Sequence, residues 1–297
     1  MVKLLLPKQA TRVRFPSPAL LSAGLSKPAL DCSERPAHFT PHRFKQRLTR
    51  VIIGAVNDWR QEVIEGLSVA RMRPYLDRCN GNRKAALNLY RWNGELTAAV
   101  QTVLGNTEVI LRNAIDSQLQ AWNRAQIPGA NSWLLEDPAS PLRGLTADKR
   151  KAALNRANGE ADSRPIDHHR RDQKVTHDDV LAQVMFGMWR DLLPNHLPGA
   201  NPEEDKNKNR KRLWDEALSN AFPHIDDVNG KVTFWRVAHL HRLRNRISHV
   251  EPLINVDVKS AIQEAFDLVS SINPSIEQWL SGISQVSDLL KRRPNRK

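Results

Sequence analysis

Between Arg83 and Trp122 the chain carries Ala85, Leu87, Leu89, Trp92, Leu96, Val100, Val103, Leu104, Ile110, Leu111, Ile115 and Leu119. Recurrence at three and four residues marks an α-helix with one apolar stripe. A patterned stretch of this length is far too long for a strand. It must bury its stripe against other helices, and so it constrains the fold more than any other feature. Asn80-Gly81-Asn82 is a turn before it, and Ile127-Pro128-Gly129 ends it. Gly94 and Gly105 are expected to break or bend it.

The rest of the chain reads the same way. Trp59, Val63 and Leu67 are spaced by four, and Ser68 is placed to cap a short helix through Tyr75 and Leu76. Residues 123–175 read as a polar insertion. Pro138-Ala139-Ser140-Pro141 and Ser163-Arg164-Pro165 are breakers, with one exposed helix from Ala147 to Ala157. Thr176-His177-Asp178-Asp179 supplies a cap and first-turn acids for a helix with Val180, Val184, Met185, Met188, Trp189 and Leu192. Residues 195–212 pass from a Gly/Pro loop into a Lys/Asn/Arg run read as solvated. Arg212 to Ala221 is expected to be helical. Thr233 is expected to cap a helix through Val237, Leu240, Leu243 and Ile247. Val258–Val269 and Ile276–Leu290 close the chain. No alternating strand pattern and no internal repeat is present. The expectation is an all-α, single-domain helical bundle over residues 51–290 with a polar excursion at 123–175.

The net charge of +13 looks like a nucleic-acid signal until it is mapped. Residues 1–50 hold ten Lys/Arg against two Asp/Glu, and residues 291–297 add five more Lys/Arg, which leaves 51–290 neutral. The basicity belongs to the two ends and is no evidence of a basic groove in the folded part. Six prolines and no helical period imply that residues 1–50 do not fold. Val13-Arg14-Phe15-Pro16 also back-translates as the T-loop of a bacterial tRNA gene, so the expectation is a reading frame begun too far upstream. The alternative is a genuine basic arm. Two cysteines, Cys32 and Cys79, make neither a disulfide framework nor a zinc site. No apolar run reaches the ~20 residues of a membrane span. A reducing, cytoplasmic setting fits both observations.

The chemistry concentrates in Arg244-Asn245-Arg246-Ile247-Ser248-His249, followed by Val250-Glu251-Pro252. Arg holds phosphate oxygens with a planar, permanent charge, His moves protons near neutral pH, and Asn orients either. Together they are the kit for cleaving RNA through its 2′-hydroxyl without a metal. His249 would act as general acid or base, and Arg244 would stabilise phosphoryl charge. On an ideal helix Arg244 and His249 lie ~140° apart. Pro252 disfavours helix at Glu251, so fraying near His249 is expected to bring the two together. The bland alternative is a surface helix that is merely basic, since Arg236, Arg242 and Arg246 are neighbours. Glu108 and Arg112-Asn113 form a second constellation, one turn apart. They are either an ordinary helix ion pair or a support for the Arg244 region. His239-x-His241 and His168-His169 lack the spacing and partners of a metal site. Trp92, Trp189, Trp235 and Phe186 are read as core rather than as base-stacking platforms.

Three blocks carry a resemblance. Leu89-Tyr90-Arg91-Trp92-Asn93 continues through Glu108-Val109-Ile110-Leu111-Arg112-Asn113, followed by Phe186-Gly187-Met188-Trp189 and then Arg244 to Pro252. Their order, and the pattern Arg-Asn-x-x-x-His, resemble the Abi-like (abortive infection) branch of the HEPN superfamily of helical RNases over about residues 60–255. The resemblance implies a HEPN-like bundle acting as a metal-independent endoribonuclease, a toxin-type effector of antiviral defence. It implies Arg244, Asn245 and His249 as catalytic residues, with Glu108, Arg112, Asn113 and Arg246 supporting or binding RNA. No metal or cofactor is implied. Expected partners are RNA, a second copy of the chain completing a composite site, and an antitoxin or regulatory RNA. The competing readings are an RNA-binding bundle that does not cut and a protein-interaction module.

Overall fold

The computed structural model describes residues 59–294. The expectations for residues 1–50 lie outside the described residues. Helical residues 59–66 lead into ten bounded α-helices, and no strand occurs among the described residues. These are α1 (Val69–Arg78), α2 (Arg83–Gln126), α3 (Leu142–Asp162), α4 (His177–Ala182) and α5 (Phe186–Leu192). They continue with α6 (Asp205–Glu216), α7 (Lys231–Ser248), α8 (Val258–Ile272), α9 (Pro274–Ile283) and α10 (Val286–Lys291). A 3-10 turn, Leu218–Ala221, follows α6.

The spine is α2. Its 44 residues span ~66 Å at 1.5 Å per residue. Leu89, Trp92, Leu96, Val100, Leu104, Leu111, Ile115 and Leu119 are buried along one stripe. Helices α1, α7, α8 and α10 pack on it, as does the 3-10 turn. Gly94 and Gly105 interrupt nothing. Both lie on the outer face, and buried neighbours on either side hold the helix through them, so packing overrides propensity. Asn82 caps α2 by accepting from the Ala85 N–H at 3.1 Å, and Ser68 caps α1 by accepting from the Arg71 N–H at 3.3 Å. Upstream, Ile64 is buried while Trp59 and Val63 are exposed, so the leading helix does not bury the expected face.

Residues 123–175 are not a polar excursion as a whole. Trp133, Leu134, Leu142 and Ala153 are buried in the same core as α2, and α3 packs on α4, α5 and α6. Two side chains anchor the segment. The Trp133 Nε1–H donates to Asp116 of α2 at 2.8 Å, and the Asn123 side chain accepts from the Ala139 N–H at 2.9 Å. The expected single helix over Val180–Leu192 is two, broken at Gln183–Met185. The Gln183 carbonyl freed by that break accepts from Arg156 at 2.8 Å. The Lys/Asn/Arg run is helical rather than loop and forms α6. Its N-terminus is held by Asn207, whose side chain accepts from the Asn195 N–H at 2.8 Å. Thr233 does not cap α7. Asp227 does, accepting from Val232 and Thr233 N–H at 3.2 and 2.8 Å, behind a left-handed Gly230. Trp92, Trp189 and Phe186 are buried as expected, whereas Trp235 is only half-buried.

Candidate functional site

Helix α7 carries the motif, and contacts from the other two sequence blocks converge on it. Glu108 of α2 sits 3.9 Å from Arg244 Nε. The Phe186 ring stacks on His241 at 5.5 Å with an interplanar angle of 4°. A Cβ on Gly187 would lie 3.4 Å from His241 Nε2, so a large side chain there would displace the ring. Asn93 of α2 accepts from the Leu253 N–H at 2.8 Å, pinning the chain just after the motif.

Arg244 is partly exposed, and neither of its Nη groups has a hydrogen-bond partner among the described residues. Those groups are open to an anion. Burial pushes the Glu108 carboxyl above its ordinary value, against the pull of the Arg244 and Arg112 charges. Glu108 thus meets Arg244 in space, as the supporting reading anticipated. Arg112 contributes charge but bonds sideways, its Nε donating to Asn113 at 3.4 Å. Asn113 itself is exposed. Arg246 turns away and closes the turn after α7, donating to the Pro252 carbonyl at 3.1 Å and pairing with Glu251 at 3.2 Å.

The helix ends near His249 as expected, but that end does not bring His249 into contact with Arg244. Helix α7 runs to Ser248, and the His249 N–H still donates to the Asn245 carbonyl at 3.0 Å. The chain leaves the helix one residue later, at Val250 with φ 55°, whose carbonyl accepts from Arg71 of α1 at 2.9 Å. His249 is thus the C-cap of α7 and makes no hydrogen bond or ring contact with Arg244. Its side chain is exposed and makes no hydrogen bond among the described residues.

Asn245 instead meets a histidine that the sequence reading had weighed only as a metal ligand. The Asn245 amide lies 3.3 Å from His241 Nε2, and Arg190 of α5 donates to His241 Nδ1 at 3.2 Å. A guanidinium has no acceptor, so Nδ1 carries a lone pair and the neutral ring bears its proton on Nε2. The oxygen end of the Asn245 amide is the complementary partner for that proton. Burial first, then the Arg190, Arg244 and Lys149 charges, hold His241 below its ordinary 6.5. The available signal was the four-residue spacing His241–Asn245–His249, which places all three on one helix row. Asp191 completes the cluster. It accepts from Arg190 at 2.6 and 2.8 Å and pairs with Lys149 of α3.

The lowered His241 value has a testable sign. The unfolded chain binds the proton more readily, so stability falls as pH drops through ~6.5. Chemical denaturation between about pH 7.5 and about pH 5 should show that slope, and His241→Gln should flatten it.

A second network has the connectivity of a hydrolase triad. Ser132 Oγ lies 2.7 Å from His177 Nδ1, and His177 Nε2 lies 3.0 Å from Asp116. Its geometry is structural. Ser132 is 4% exposed, and its oxygen already accepts from Leu134 and Leu135 N–H at 3.3 and 3.1 Å. The network ties the start of α4 to α2. That start bears out the cap reading: Thr176 and Asp179 form a reciprocal capping box. Arg170 binds Asp179 and, with the Thr176 bonds, pulls its carboxyl down to about 2.

Among protein-family models, curated proteins and solved structures, none matches the chain. Among the described residues no helix is long and apolar enough to cross a membrane.

Proposed function

We propose that this chain is a metal-independent endoribonuclease of Abi-like HEPN type, a cytoplasmic effector of antiviral defence that cleaves RNA through the 2′-hydroxyl. The observation that carries the reading is the contrast between the two ends of the motif. Arg244 is held on Glu108 with its Nη groups open, while His249 stands in solvent with no structural task. Charge stabilisation by Arg244 and proton transfer by His249 are the roles those states suit. The products are a 2′,3′-cyclic phosphate and a 5′-hydroxyl.

No contact joins the two side chains across the end of α7, which favours a composite site. His249 of one copy would act on phosphate held by Arg244 of a second copy, in a two-fold dimer whose facing α7 helices carry both. Asn245, with its amide tied to His241, would then orient the phosphate beside Arg244 rather than His249. An antitoxin or regulatory RNA would restrain the activity.

The test is cleavage of mixed cellular RNA in EDTA with the fragment ends mapped. Cyclic-phosphate and 5′-hydroxyl ends support the reading. Intact RNA that is nevertheless bound moves the function to RNA binding by the same α7 surface, which the open Arg244 alone would explain. Neither cleavage nor binding leaves a protein-interaction module, for which the exposed Trp279 and Ile283 of α9 are the anchors.

A further inference from the structure

Helices α5, α6 and α7, with the loop after α5, frame an open cavity of about 420 Å³ that Arg190 also lines. Its lining includes Arg190, Arg210, Arg242, Asp191, Trp235 and Leu197. Three arginines face one acid, and that acid is already spent on Arg190 and on Lys149. Beyond Asp191, Glu204 from outside the lining also offsets the Arg210 charge, while Arg190 opposes it. Arg210 donates Nε to the Asp191 carbonyl at 2.8 Å, and its Nη groups make no hydrogen bond among the described residues. Partial burial disfavours its charge, so the site is poised for an anion. Arg242 has no hydrogen bond or ion pair among the described residues.

Trp235 supplies the second half of a recognition site. It stands half-buried on the cavity wall, braced edge-on by Phe234 at 5.5 Å and flanked by His239 at 5.6 Å. Trp235, Ala238 and Arg242 lie at i, i+3 and i+7 on α7, so the ring and the guanidinium share one face. An indole platform beside paired arginines accepts a base and its phosphate together. The volume suits one such unit.

We propose that this cavity binds one nucleotide, its phosphate between Arg210 and Arg242 and its base against Trp235. This rests on the RNase reading for its biological setting, with the nucleotide belonging to the RNA strand held at the Arg244 seam. Arg190 joins the two, touching His241 and lining the cavity.

Binding is measured on the full chain with a fluorescein-labelled, 2′-O-methyl RNA octamer, which cannot be cut. Adenosine monophosphate is titrated in parallel. Arg242→Glu and Trp235→Leu are compared with Arg124→Glu, the same charge change at an exposed site on α2. Trp235→Leu is expected to weaken octamer binding about 5- to 100-fold. Arg242→Glu should weaken it at least about tenfold at low salt, and Arg124→Glu should leave it within about twofold. Circular dichroism confirms folding of each variant. Losses on the octamer alone identify a strand-bound nucleotide; equal losses on the monophosphate identify a free one, and either sustains the site. Octamer and monophosphate binding unchanged in both variants, or absent from the wild type, overturns it. Because the octamer is uncleavable, loss of this site and loss of the RNase reading are separate results.

Discussion

If the proposed composite site is right, mixing the Arg244→Ala and His249→Ala proteins should restore RNA cleavage that neither performs alone. Each variant by itself should fall about 10²- to 10³-fold or more, the range for removing a charge stabiliser or a general acid–base. In a two-fold dimer built from one copy of each, one site regains both an intact Arg244 and an intact His249. With free exchange the mixture should recover roughly a quarter of wild-type activity. His249 is exposed without a partner, so His249→Ala should shift stability by less than about 0.5 kcal/mol. That separates lost chemistry from lost fold. A mixture that stays inactive, although the hybrid dimer is seen by mass, rejects the composite site.

Trp133→Ala should destabilise the fold by about 3–5 kcal/mol, measured by urea denaturation. The side chain is fully buried and its Nε1–H satisfies Asp116 at 2.8 Å. Removing it leaves a cavity and also frees Asp116, which faces His177. A segment that merely decorated the bundle would show almost no effect. An effect under about 1 kcal/mol would therefore return residues 123–175 to the status of an appendage.

That segment marks where the sequence was readable and where it was not. Local signals were legible because their physics is local. Ser68, Asn82 and Thr176 accept hydrogen bonds from N–H groups three residues on, and the Asn80-Gly81 turn uses positive φ at both residues. The core role of Trp133 depends on Asp116 and α2, which no window around position 133 contains. Polar composition hid α6 for a related reason. Its helix is fixed by Asn195–Asn207 and by two buried residues, Leu213 and Trp214, near its far end.

The site divides the same way. Arg244 and His249 were visible as residue types at a spacing, and Glu108 as an acid on an apolar helix. Their mutual placement was not, because the fate of His249 hinged on one residue. The motif helix ends near His249 as expected, but the chain then turns at Val250 without bringing the imidazole to Arg244. His241 went unread as a partner of Asn245 because its ring is defined by Arg190 and Phe186, distant in sequence. Trp235 was read as core because helical spacing alone does not say which neighbours fail to cover a side chain.

The contacts that fix the end of α7 bridge very long stretches of chain. Arg71 to Val250 spans 179 residues and Asn93 to Leu253 spans 160. A ribosome delivers α1 and α2 first, yet the strap that orients the motif cannot close until Val250 and Leu253 have emerged. Closing loops that long is slow relative to local helix formation. The spine therefore forms before the site, which is complete only once the residues after α7 have been made.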